Sequence, residues 1–182
     1  MELGDGKRKT LMLLDEYSSG GVLTLDEDIS AKMNDFFDLA QKDMAAYKKI
    51  LRSETIELDG SDFVELPENF KSIYRTWKND RIRKPYTIRE GKLYTKGDTG
   101  IITLEYFAYP HTITPDTPDD YEFEVSDDAA QCLPFYVAAQ QLITDLVVNY
   151  EDFWDMYLAH KGSLDTSIPG SGNATVRQTL WR

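Results

Sequence analysis

Chemistry-bearing residues are scarce in this sequence. Its 182 residues include one cysteine, Cys132, and two histidines, His111 and His160. A lone cysteine excludes an internal disulfide framework and a zinc cluster built from thiolates. Cys132 sits beside Leu133 and Pro134 with nothing cationic near it in sequence, so it reads as a small buried hydrophobe and not as a nucleophile. Neither histidine has a His, Cys or carboxylate at ligand spacing on an expected helix, and both read as ordinary loop or helix-end residues. A phosphate-cradling glycine loop, a serine nucleophile elbow and a zinc-protease helix motif are all missing. The expectation is a protein with no catalytic site, no metal and no cofactor. No stretch approaches the roughly 20 consecutive apolar residues that span a bilayer. The opening Met1-Glu2-Leu3-Gly4-Asp5 lacks the basic segment and apolar run of a secretory signal. No membrane contact and synthesis in a reducing cytoplasm are therefore expected. Positive charge is short as well. Twenty Lys and Arg against 32 Asp and Glu leave a net charge of −12, which speaks against groove-reading of nucleic acid by phosphate neutralisation.

What is present suffices for a core. Hydrophobic residues make up 41% and aromatics 12% of the chain, enough for one domain, or one domain with an elaborated insert. Lys9 to Tyr17 reads as a helix broken at Ser18-Ser19-Gly20-Gly21. A second helix opens on Thr24-Leu25-Asp26-Glu27, which fits a capping box. Along it Ile29, Met33, Phe36, Phe37, Ala40, Met44, Tyr47 and Leu51 recur at helical spacing, with Lys32, Asp35, Asp38, Lys42 and Asp43 elsewhere on the wheel. After Arg52 the pattern changes to short β-prone runs: Thr55 to Leu58, Phe63 to Leu66, Ser72 to Lys78, Tyr86 to Arg89, Leu93 to Thr95 and Ile101 to Tyr109. Gly, Asn and Asp punctuate them, which indicates an antiparallel meander of hairpins. Pro110 to Pro118 is a loop, Ser126-Asp127-Asp128 starts a new helical region, and Pro134 belongs in a first turn. Phe153, Trp154, Tyr157 and Leu158 form a last apolar group. The expected organisation is one α+β domain over 1–162, with helices in 7–52 and 126–162, a β-insert over 55–109, and a flexible C-terminal arm over 163–182.

Three features invite a functional reading. Asp15 to Asp26 imitates a calcium loop, with Gly20 at the sharp turn, but Tyr17 stands where an oxygen ligand is needed; a plain helix–helix connection is the simpler reading. The acidic run Asp116, Asp119, Asp120, Glu122, Glu124, Asp127 and Asp128 reads as a solvated loop, or as a wall that repels phosphate. The arm closes on Val176, Arg177, Leu180, Trp181 and Arg182. Tryptophan is costly to leave solvated, and with arginine it is frequent at interface hot spots, so this end is either a frayed terminus or a docking element.

The layout resembles the head-to-tail connector, or portal adaptor, proteins of tailed bacteriophages. Leu11-Met12-Leu13-Leu14-Asp15-Glu16-Tyr17-Ser18-Ser19-Gly20-Gly21 and then Ile29 to Asp35 look like the opening helix pair of these adaptors. Val64-Glu65-Leu66-Pro67-Glu68-Asn69-Phe70, Tyr86-Thr87-Ile88 and Ile102 to Tyr106 are similar to their β-insert, and Leu133 to Leu142 to the start of their long C-terminal helix. The likeness covers most of residues 7–160 and rests on patterns; the arm is not covered. It implies an antiparallel helical bundle carrying a β-insert, assembled with neighbouring copies into a dodecameric ring beneath the portal protein in the virion neck. It further implies contact with the next neck or tail protein and passage of DNA without specific binding. Within that picture Asp116, Asp119, Asp120, Glu122 and Glu124 are candidates to line the channel, where repulsion keeps a sliding duplex centred. Val176, Arg177, Leu180, Trp181 and Arg182 are candidates to hold the portal or a neighbouring subunit. The alternatives are another virion assembly part, such as a tail-completion protein, or a calcium- or small-ligand-binding module using Asp15 to Asp26.

Overall fold

The computed structural model describes residues 1–14, 27–79, 81–83, 86–144 and 150–167. Helix α1 (Leu3–Leu13) begins well ahead of the expected Lys9. No side chain among the described residues caps it. Its first amides are satisfied instead by a distant loop: Leu3 N–H donates to the Tyr121 carbonyl and Gly4 N–H to the Asp119 carbonyl, both at 2.8 Å. Tertiary carbonyls thus replace the local cap a sequence reading looks for. Gly6, inside this helix, costs about 1 kcal/mol relative to alanine. It permits a close approach, since a Cβ there would stand 2.9 Å from Phe37 Cζ.

Helix α2 (Glu27–Tyr47) follows the expected period, with Met33, Phe37, Ala40 and Met44 buried. The capping box at Thr24 and the calcium-like loop Asp15 to Asp26 lie outside the described residues. Leu51, expected on this helix, belongs to the following strand.

Seven strands follow among the described residues: β1 (Ile50–Asp59), β2 (Phe63–Val64), β3 (Phe70–Lys78), β4 (Arg81–Arg83), β5 (Thr87–Arg89), β6 (Lys92–Tyr94) and β7 (Thr99–Ala108). They form two antiparallel sheets of order β1-β7-β3-β4 and β2-β6-β5. The expected hairpin β5–β6 is present, and its turn residues Glu90 and Gly91 have φ of 53° and 77°, the left-handed pair that two-residue hairpins favour; β4, which is not among the β-prone runs of the sequence, pairs with β3. The block is nevertheless not a meander. Its first strand pairs with its last, in unbroken register from Ile50↔Ala108 to Asp59↔Thr99. Such a pairing leaves no trace in local periodicity. Ile56 and Leu58 of β1 and Ile102 and Leu104 of β7 are buried in the core, joined by Leu93 of the smaller sheet. The sheets are tied by Asp98, whose carboxylate accepts from Lys78 of β3 (2.6 Å) and from the Tyr86 hydroxyl (2.7 Å). The Lys78 bond, then the Tyr86 bond and the Thr99 amide, hold this carboxyl down at about 2.

Beyond the loop come α3 (Asp127–Ala130), α4 (Leu133–Thr144), with Pro134 in its first turn, and α5 (Tyr150–Ser163). Helix α4 packs against α1, α2 and α5 through Leu133, Val137, Ala138 and Ala139. Tyr136, Trp154 and Tyr157 form an aromatic cluster with ring centroids 5.2–5.6 Å apart. The Tyr157 hydroxyl donates to Asp43 of α2, and Lys161 Nζ lies 2.6 Å from the same carboxylate. Burial and this carboxylate push the Tyr157 pKa up, so it remains a donor. The fold is α+β.

Candidate interaction surfaces

A polar stripe on α2 organises the acidic loop. Asn34, Asp38 and Gln41 sit at i, i+4 and i+7, which places them on one helix face, and all three are buried. Asn34 Nδ2 donates to the Thr114 and Pro115 carbonyls at 2.9 and 3.1 Å. Asp38 Oδ1 accepts from the Ile113 amide at 3.0 Å. Gln41 Nε2 donates to the His111 carbonyl at 3.2 Å, and its Oε1 accepts from the Glu124 amide at 2.9 Å. The segment from His111 to Glu124 is therefore clamped along its whole length, without any secondary structure of its own beyond a single bridge at Glu122.

The clamp is completed by ions. Glu124 Oε1 meets the His111 ring Nδ1 at 2.5 Å and its backbone amide at 3.1 Å, while Oε2 accepts from Arg52 at 3.1 Å. Burial alone would raise the Glu124 carboxyl, but the bonds from His111 and Arg52 outweigh it and hold the group below the usual range. The buried Lys7 of α1 reaches Asp119 at 2.7 Å. Asp128 is held at about 2, first by Lys48 at 2.6 Å and then by Ser126 and the Ala129 amide. The five acids expected to line a channel thus divide. Asp119 and Glu124 are spent on structural ion pairs. Asp116, Asp120 and Glu122 are exposed and form no ion pair among the described residues. His111 gains a carboxylate partner that its sequence neighbourhood did not reveal, yet no group of three ligating side chains suited to a metal occurs among the described residues.

Asn34, Asp38 and Gln41 were not recognised as a site from sequence. The available signal is a shift by one: the apolar stripe runs Met33, Phe37, Ala40, and the polar stripe follows it at 34, 38, 41. Two of the three are amide-bearing, and so suited to pairing both backbone donors and acceptors.

The larger sheet offers a second surface. On the face away from Ile102 and Leu104, Thr55, Thr103, Trp77 and Ile82 lie in one cross-strand row. Ile82 is 60% exposed and Ile101, on the same face, 62%. Arg75 lies over the rings of Tyr74 (4.4 Å) and Trp77 (5.5 Å) and brings its Nε within 2.5 Å of Glu105 Oε2, a charge contact with poor hydrogen-bond alignment.

Third is a groove of about 710 Å³ where the ends of α1 and α5 meet the start of α4, floored by Met12, Leu13, Cys132, Pro134, Phe135 and Leu164. Cys132 is buried, and that burial, with Asp128 adding, raises its thiol pKa, which suits packing and not nucleophilic attack. His160 stacks on Phe135 with centroids 4.9 Å apart. The described chain leaves this region through Asp165, whose carboxylate accepts from the Ser167 amide. Val176, Arg177, Leu180, Trp181 and Arg182 lie outside the described residues. No helix among the described residues is long and apolar enough to cross a membrane. No protein-family model matches the chain, and no curated protein matches it.

Proposed function

We propose that this chain is a structural head-to-tail adaptor of a tailed phage: a subunit of a ring, dodecameric in this reading, that sits beneath the portal protein in the virion neck, joins it to the next neck or tail protein and lets DNA pass. The observation that carries the reading is the pairing of Ile50 with Ala108. It returns the chain to the helices where it left them, so the sheet block is a closed attachment on the helical part. Helices pack chiefly on helices and strands on strands, as suits a bundle bearing an insert. The helices then serve subunit packing, and the insert meets the next ring. Asp116, Asp120 and Glu122 are the acids left free to face a channel, where attraction to phosphate would act as a brake. Val176, Leu180 and Trp181, with Arg177 and Arg182, dock the arm on the portal or a neighbouring subunit.

The test is electron microscopy of the purified protein mixed with purified portal rings. A second ring stacked beneath the portal is the expected image. Binding to tail components in preference to the portal overturns the assignment in favour of a tail-completion role, and a basic lumen in the assembled ring overturns the channel assignment.

A further inference from the structure

The four-stranded sheet ends in two unlike edges. At one end β1 presents a ten-residue edge whose outer backbone groups meet no strand among the described residues. Its exposed side chains include Glu54 and Glu57, and neither forms an ion pair among the described residues. At the other end β4 pairs only with β3 among the described residues and reads Arg-Ile-Arg, with Arg81 exposed. One edge is acidic and the other basic. Open edges are normally shortened, covered or charged against pairing, but charges of opposite sign on the two ends of one sheet favour joining end to end and oppose joining like to like.

Strand directions agree with that joining. Each neighbouring pair in the order β1-β7-β3-β4 is antiparallel, so β4 runs opposite to β1. A second copy placed beside the first by rotation about an axis along the strands sets its β1 antiparallel to β4 and continues the alternation. Register also agrees. Arg81 lies opposite Lys78 of β3, Thr76 opposite Leu104, and Leu104 opposite Glu54. Because side chains alternate faces with period two, Arg81 and Glu54 belong to the same face of the sheet, two residues apart along the strands, and stand as diagonal neighbours across the seam, within reach of long side chains.

We infer that the acidic β1 edge of one copy adds to the basic β4 edge of the next, so that sheets join head to tail around the assembly. This rests on the ring reading and specifies the subunit contact within it. Head-to-tail contacts close into rings when the rotation fits, whereas a two-fold contact stops at a dimer. Backbone pairing over the three residues of β4 is short, so the charges carry the selectivity of the contact.

The experiment is a charge-reversal set on the full chain, read by analytical ultracentrifugation and by electron microscopy with portal, with thermal melting as the control for folding. Glu54→Arg alone and Arg81→Glu alone are each expected to weaken self-association roughly tenfold, because like charges then stand diagonally across the seam. The double variant Glu54→Arg/Arg81→Glu is expected to recover it. Rings that form equally well in both single variants overturn the seam and leave the adaptor reading standing. Assembly that follows the charge pattern but never stacks on portal rings supports the seam and overturns the adaptor reading. A dimer weakened by Glu54→Arg but indifferent to Arg81→Glu overturns the head-to-tail contact in favour of pairing between two β1 edges.

Discussion

Replacing Gln41 with leucine isolates the clamp on the acidic loop. Leucine has nearly the volume of glutamine and keeps the helix, so the change removes hydrogen bonds with little change in packing. Two backbone groups lose their partner: the Glu124 amide, now 2.9 Å from Gln41 Oε1, and the His111 carbonyl, 3.2 Å from Nε2. A buried group left without a partner costs about 1–3 kcal/mol, so the pair costs about 2–6 kcal/mol. The apolar surface of leucine returns about 1–2 kcal/mol, and the net loss is about 1–4 kcal/mol. For a domain of this size that lowers Tm by roughly 3–15 °C. Thermal unfolding followed by circular dichroism measures the total, and hydrogen exchange locates it. The Glu124 amide should lose protection beyond the global change, while the amides of the β1–β7 ladder should fall only in proportion to overall stability. A Tm within 2 °C of the parent together with unchanged protection at Glu124 would refute the clamp. Gln41→Glu refines the test: the new carboxylate still accepts from the Glu124 amide but cannot donate to His111 and faces the Glu124 carboxylate. It should destabilise more at neutral pH than under mildly acidic conditions, where the buried group takes up a proton.

Gly6→Ala should lower stability although alanine is the better helix former: the gain of about 1 kcal/mol is outweighed by an overpacking cost of about 1–3 kcal/mol as the methyl meets Phe37 Cζ at 2.9 Å and Cε1 at 3.0 Å. Chemical denaturation measures it, and a stabilised variant would show that α1 can shift. Asp98 and Asp128 titrate in the folded protein at about 2 against an ordinary 3.8. Depressed carboxyls contribute stability that is fully present above about pH 5 and is lost as pH falls toward 2, so Lys78→Met, by removing the strongest of the bonds that depress Asp98, should partly flatten this acid limb in a pH series of denaturation curves. Deleting residues 173–182, and with them Trp181, should weaken assembly in sedimentation while leaving Tm unchanged; unaffected assembly would remove the arm from the docking role.

Local grammar revealed the helices and most strands because their signals are local. The period of Met33, Phe37, Ala40 and Met44 is set by which face of α2 is buried, and the Glu90-Gly91 turn by which residues tolerate positive φ. The misses have the opposite character. Helix α1 starts at Leu3 because carbonyls at Asp119 and Tyr121 take its first amides, and β1 finds β7 across the whole insert. Both depend on groups far along the chain. The acidic run was legible as charge but not as structure: nothing near Asp119 or Glu124 in sequence announces Lys7 or Arg52. Gln41 was overlooked because a polar residue on an amphipathic helix is ordinarily solvent-facing, and only its position one step behind the apolar stripe separates it from Lys42.

The division among the acids bears on how such a surface works. Uniform repulsion along a loop of seven carboxylates would tend to expel it from the body of the protein, since like charges at close range destabilise the compact state. Here four of the seven, Asp119, Glu124, Asp127 and Asp128, are neutralised by Lys7, Arg52, the N-terminal amine and Lys48, and α2 holds the loop backbone at Thr114, Ile113, His111 and Glu124 through Asn34, Asp38 and Gln41. The remaining Asp116, Asp120 and Glu122 are then displayed on a segment that cannot retreat. In the proposed channel role, a surface that repels a moving polyanion needs both properties, charge without a partner and a mount too stiff to yield. The ion pairs and the polar stripe supply the mount with the same residues that relieve the strain of the charge.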